Sequence, residues 1–119
     1  MTFRSVLAVP AVALVLGGAG SAVAAPTALH AMTVDVKAKD YSFALSPKVG
    51  KPGRVTFVIK NVGHTEHDFT IAGHTSKMIQ PGQTVRLTVT LRKRGRYPYR
   101  CSVDSHAELG MKGVFRVMS

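Results

Sequence analysis

The stretch Thr84-Val85-Arg86-Leu87-Thr88-Val89-Thr90-Leu91 alternates polar and apolar residues along its whole length. A period of two puts Val85, Leu87, Val89 and Leu91 on one face of an extended chain and the threonines with Arg86 on the other, which is the mark of a half-buried strand. The pattern spreads outward from there. Upstream of a Pro81-Gly82 turn, His67, Phe69 and Ile71 share a face, and before them Val55, Phe57 and Ile59 form an inward row ending at Asn61-Val62-Gly63. Earlier still, Met32, Val34, Val36 and Ala38 alternate with polar neighbours, and Tyr41, Phe43 and Leu45 alternate with Ser42 and Ala44. Ser46-Pro47 and Lys51-Pro52-Gly53 mark turns. Downstream, Gly95 breaks the chain, Tyr97, Tyr99 and Cys101 share one face of the next strand, and Phe115 and Val117 close the sequence. Helical periodicity is almost absent, and its one weak candidate, Ser105 to Leu109, reads as loop. About seven to eight short strands with regular turns predict an all-β fold, an antiparallel β-sandwich. The polar outer rows argue against a parallel sheet.

A chain of 119 residues suggests one domain with one modest core. The first 24 residues read differently from the rest. Arg4 precedes an apolar run from Val6 to Leu16, then Gly17, Gly18 and Gly20, then Ala22-Val23-Ala24. A basic start, a short apolar stretch and an A-x-A ending predict a secretory signal peptide cut after Ala24. The run is short for a membrane span, which needs about 20 residues. Residues 1–24 are thus expected to be the signal, 25–31 a mobile leader and 32–119 the folded domain, located outside the cytoplasm in the periplasm or at the cell exterior.

The formal net charge is +10, and all but one of the basic residues lie beyond residue 24. A positive field this strong favours anionic partners. Export and the lack of any nucleic-acid motif exclude nucleic acid. The expected partners are an acidic redox protein, an anionic membrane surface or an anionic cell-wall polymer, met by a monomer.

Exported proteins usually pair their cysteines, so the single Cys101 needs a reason. A lone cysteine on a strand is most often a small buried hydrophobe. Its neighbours argue otherwise: Cys101, His106 and Met111 stand at Cys-x4-His-x4-Met. Thiolate and thioether select copper, imidazole suits it, and a trigonal His2Cys set with a long axial Met is the blue-copper arrangement. The second histidine must come from elsewhere. His67 shares its row with Phe69 and Ile71 and points inward; His64 sits in the turn after Gly63 and should face solvent, with His74 on a loop and His30 in the leader.

The run Asn61 to Phe69, the run Gly95 to Cys101 and the loop to Met111-Lys112-Gly113 together resemble the small cupredoxins, the plastocyanin and azurin family, over nearly the whole chain after the signal. The loop spacing looks most like that of auracyanin and rusticyanin. The resemblance implies a Greek-key sandwich with one mononuclear type 1 copper at one end, held strongly by His67, Cys101 and His106 and weakly by Met111. One position departs from the family: the residue after the first ligand histidine is usually Asn, and here it is Asp68. Asp68 can accept hydrogen bonds from the Ser102 hydroxyl or backbone but cannot donate when ionised.

Four protein ligands leave no free coordination position of the kind a catalytic metal keeps. The expectation is an electron carrier and not an enzyme, cycling between Cu(I) and Cu(II). The alternative with the same ligands is a copper-handling protein, a chaperone, buffer or resistance factor. The edge of His106, beside Ala107, Leu109 and Gly110, is the expected route for the electron, and Arg92, Lys93, Arg94, Arg96 and Arg100 are the expected steering cations.

Overall fold

The alternating segments pair into two facing sheets. The computed structural model describes residues 30–119; the expected signal peptide and most of the expected leader lie outside them. In chain order the strands are β1 (His30–Lys39), β2 (Ser42–Ser46), β3 (Val49–Gly50), β4 (Gly53–Asn61), β5 (Thr70–Ile71), β6 (His74–Thr75), β7 (Thr84–Leu91), β8 (Gly95–Arg100) and β9 (Lys112–Val117). One sheet has the order β2-β1-β4-β7 and the other β3-β9-β8-β5-β6. The last two leader residues belong to β1, where His30 stands opposite Gly53 and Ala31 opposite Arg54.

The expected β-sandwich is the observed one, with two additions. The sheets are mixed, because β1 runs parallel to β4 and β3 parallel to β9. The strands number nine among the described residues, two more of them being the short β3 and β6. Alternation reports which face a residue occupies and carries no information on the direction of the neighbouring strand. Two-residue strands are too short to show a period at all.

The core is built from the predicted rows. Val34, Val36 and Ala38 on β1 and Val55, Phe57 and Ile59 on β4 face Ile71, Phe115 and Val117 of the opposite sheet and Phe69 just before β5, all fully or almost fully buried. Phe57 is its centre, with ring centroids 5.0 Å from Phe69 and 5.4 Å from Phe115. Each such side chain contributes about 1.5–3 kcal/mol by leaving water. Packed this way, the sandwich is a stiff frame whose loops are gathered at its ends. One end collects the turn between β1 and β2, the loop after β4 and the loop between β8 and β9.

Candidate metal centre

The loop between β8 and β9 is clamped at its base. Arg100 stands opposite Lys112 as the last rung of the ladder, and directly beyond it the Cys101 amide donates to the Met111 carbonyl at 3.0 Å. Inside the loop the chain winds through tight turns: His106 N donates to Val103 O at 3.0 Å, Gly110 N to Ala107 O at 3.1 Å and Met111 N to His106 O at 3.1 Å. Gly110 has φ 116°, a left-handed conformation that glycine adopts at little cost. The expected loop at Ser105 to Leu109 is therefore a run of turns. It carries Cys101 and Met111 fully buried, and His106 with only 8% of its surface exposed.

His67 comes from the other predicted segment, though not from a regular strand. It forms an isolated bridge with Ile79, giving its amide to Ile79 O at 3.1 Å and accepting from Ile79 N at 2.7 Å. His67, Phe69 and Ile71 are all fully buried, as their shared row requires. Asp68 breaks the alternation by being buried too, and the reason is a local bond. Its Oδ1 accepts from the Ser102 amide at 2.7 Å, and its Oδ2 accepts from the Ser102 hydroxyl. Asp68 thus ties the His67 segment to the Cys101 loop. On the other side, the buried Asn61 braces the same segment. Its Nδ2 donates to Thr65 O and to Ile79 O, and its Oδ1 accepts from Gly63 N, each at 2.8 Å.

These supports aim three donor atoms at one point. The Nδ1 atoms of His67 and His106 are 3.3 Å apart, and Cys101 Sγ lies 3.9 Å from the first and 3.7 Å from the second. The point equidistant from all three is about 2.1 Å from each, which is the range of bonds from first-row metals to imidazole nitrogen and thiolate sulfur. All three residues are buried. The donor set suits copper by ligand chemistry, with soft sulfur and two imidazoles in a trigonal array. Met111 shares the buried loop. His64, His74 and His30 are exposed, so the structure gathers His67 with Cys101 and His106 and leaves the other histidines outside.

The electrostatics of the site point the same way. Burial pushes the Cys101 thiol pKa up; hydrogen bonds from the Asp68 and Val103 backbones oppose the shift, and the Asp68 carboxylate adds to it. A thiol in such surroundings becomes a thiolate only when a cation compensates its charge, as a bound metal does. The far nitrogen of His67 meets a residue that the sequence reading passed over. Asp40, in the turn between β1 and β2, has Oδ1 at 2.7 Å from His67 Nε2. His64 N donates to Asp40 Oδ2 at 2.8 Å and the Thr65 hydroxyl to Oδ1 at 2.9 Å. These bonds, led by the His64 amide, hold the Asp40 carboxyl at about 2. No motif or period marks Asp40 or Ile79 as part of a site; Asn61 is marked only as the start of the run to Phe69 that carries the family resemblance and of the Asn61-x-Gly63 turn.

The comparisons with known proteins agree with this fold. The Cupredoxin-like domain family matches residues 7–114. Among solved structures, the chain is similar to dithionite-reduced auracyanin from the photosynthetic bacterium Roseiflexus castenholzii, at 19% identity and a TM-score of 0.63, covering 73% of this chain and 97% of that one. It is similar to auracyanin B at 16% identity and a TM-score of 0.64, covering 80% and 94%. A chain of a heme-copper terminal oxidase dimer is similar at 17% identity and a TM-score of 0.61, covering 74% of this chain and 64% of that one. At these identities the likeness is one of fold. No curated protein matches by sequence. The sandwich, the buried donor triangle at its end and the family match converge on one assignment: this chain belongs to the Cupredoxin-like domain family, as a small blue-copper cupredoxin with a single type 1 site.

Proposed function

We propose that this protein is an exported carrier of single electrons, with residues 1–24 as its signal peptide and Met111 as the weak axial ligand to copper held by His67, Cys101 and His106. The observation that carries the reading is the buried triangle of two Nδ1 atoms and one Sγ. When bound, copper supplies a one-electron couple. The protein's part is to hold the donors still, so that little rearranges when the charge changes. Asp68 and Asn61 do this from two sides, and the close-packed frame resists relaxation. With Met111 in the fourth place there is no position for a substrate, which favours a carrier over an enzyme.

The route for the electron is the His106 ring, the donor nearest solvent. Leu109, 60% exposed, stands beside it as an apolar docking element. An acidic redox protein is the partner, and the cations that attract it are more numerous than the row Arg92 to Arg96 and Arg100. On β8 and β9, Arg96 stands opposite Arg116 and Arg100 opposite Lys112. Like charges placed directly opposite cost stability, and no lysine or arginine among the described residues has an acidic partner. A cationic sheet face kept at that cost supports steering of an anionic surface, whose association should slow steeply with salt.

The test is the visible spectrum of the copper-loaded protein. An intense red charge-transfer band that Cys101→Ser abolishes is the expected result, and a colourless oxidised protein overturns the reading. The exposed His64, His74, Met78 and Met118 favour copper handling as the second reading. Repeated redox cycling with copper retained supports the carrier; ready transfer of copper to a competing chelator supports handling.

A further inference from the structure

We propose that Asp40 is a positioning residue for the metal site: its carboxylate accepts a hydrogen bond from the Nε2–H of His67 and thereby leaves the Nδ1 lone pair facing the metal. The proposal rests on the copper-site reading above and adds a residue that lies 27 positions from its target in the chain. A neutral imidazole carries one proton on one of two nitrogens, and the hydrogen bond at one nitrogen decides the state of the other. In His67 the two nitrogens face different worlds. Nδ1 looks at Cys101 Sγ and His106 Nδ1. Nε2 looks at Asp40 Oδ1 at 2.7 Å. A carboxylate accepts and does not donate, so the proton belongs on Nε2 and the lone pair on Nδ1, where the metal must sit.

Asp40 is itself held for this task. The His64 amide occupies Oδ2 and the Thr65 hydroxyl shares Oδ1 with the ring, so the carboxylate plane is fixed by the same loop that carries His67. Gly63 makes room for it. A Cβ at Gly63 would collide with Asp40 Oδ1 and lie 2.9 Å from its Cγ. His106 has no such partner at its second nitrogen among the described residues. The two imidazoles are therefore unequal: one is locked by a charged group before any metal arrives, and the other is set by its loop alone. A carboxylate on the outer nitrogen also makes the imidazole a stronger donor, which favours the oxidised ion.

The experiment has a part that needs no copper. In the metal-free protein, with the ring in its neutral form, nitrogen-15 NMR should find the His67 proton on Nε2 in the wild type. The Asp40→Ala variant should show a mixture of tautomers. A wild-type ring with its proton on Nδ1, or an unchanged tautomer in Asp40→Ala, overturns the proposal. In the copper-loaded protein, Asp40→Asn should weaken Cu(II) binding by about 10- to 100-fold, the usual effect of losing a partner behind a metal ligand, and should raise the reduction potential. Gly63→Ala, which displaces the carboxylate without removing its charge from the chain, should reproduce the loss of affinity. Unchanged affinity and potential in Asp40→Asn overturn the proposal as well. Because the tautomer is read without metal, its result is separate from the spectrum that tests the copper site itself.

Discussion

Ser102 gives both its amide and its hydroxyl to the carboxylate of Asp68, so that residues next in sequence to Cys101 and His67 are bolted together. Asp68 is 4% exposed, and its carboxylate lies beside the site. A nearby negative charge stabilises the more positive oxidised ion. Asp68→Asn should therefore raise the reduction potential by tens of millivolts, with the direction checked by voltammetry of the two proteins side by side. An equal or lower potential in the variant would refute the role given to Asp68.

Asn61 is fully buried, and all of its side-chain polar atoms are engaged by Gly63, Thr65 and Ile79. Asn61→Ala would leave the Gly63 amide and the Thr65 carbonyl without these partners and the Ile79 carbonyl with the His67 amide alone. Unsatisfied buried groups cost about 1–3 kcal/mol each, partly recovered by relaxation and water. Denaturant unfolding of the metal-free variant should show a loss of about 2–4 kcal/mol, with weaker copper binding because the His67 segment slackens.

The fold was legible in the sequence wherever burial alternates. Val55, Phe57 and Ile59 announced the core row of β4, and Val89 and Leu91 that of β7. His67 was legible by parity even though the strand expected there shrinks to Thr70–Ile71. Its row survives because the bridge to Ile79 keeps the backbone extended. Three things were hidden. The parallel contact of β1 with β4 depends on how the chain crosses between sheets, which no local pattern records. Ile79 is fully buried between the exposed Met78 and Gln80, a single inward residue on an isolated bridge and too short a stretch to establish a period. Asp40 meets His67 only through the three-dimensional approach of a turn to a loop.

The acid sensitivity of the metal-free protein follows from Asp40. Its folded pKa of about 2 lies below the ordinary aspartate value of 3.8, so the unfolded chain binds a proton first as pH falls. The stabilisation is present in full above the unfolded value and is lost as pH drops through about 2. Unfolding monitored across this window should show a contribution that disappears in Asp40→Asn, whose stability should vary less with pH there.

The cationic face offers a test in which stability and association move in opposite directions. Arg116→Glu turns the like-charged pair with Arg96 into an opposite-charged one. Cross-strand pairs of opposite charge contribute about 0.2–1 kcal/mol. The variant should melt slightly higher than the wild type while associating more slowly with an acidic redox partner at low salt. Faster association would remove this face from the docking surface.

The clamp at Cys101 and Met111 divides the site between two owners. Three sulfur and nitrogen side chains ride on a single hinge-to-hinge insert whose ends are fixed by neighbouring rungs of one hairpin, while His67 and the groups that orient it belong to the frame. The insert is thus a cartridge: its length and residues can change the metal's surroundings while the sandwich keeps its register. The frame supplies the constant half, one imidazole held at a set angle against which any new insert must close.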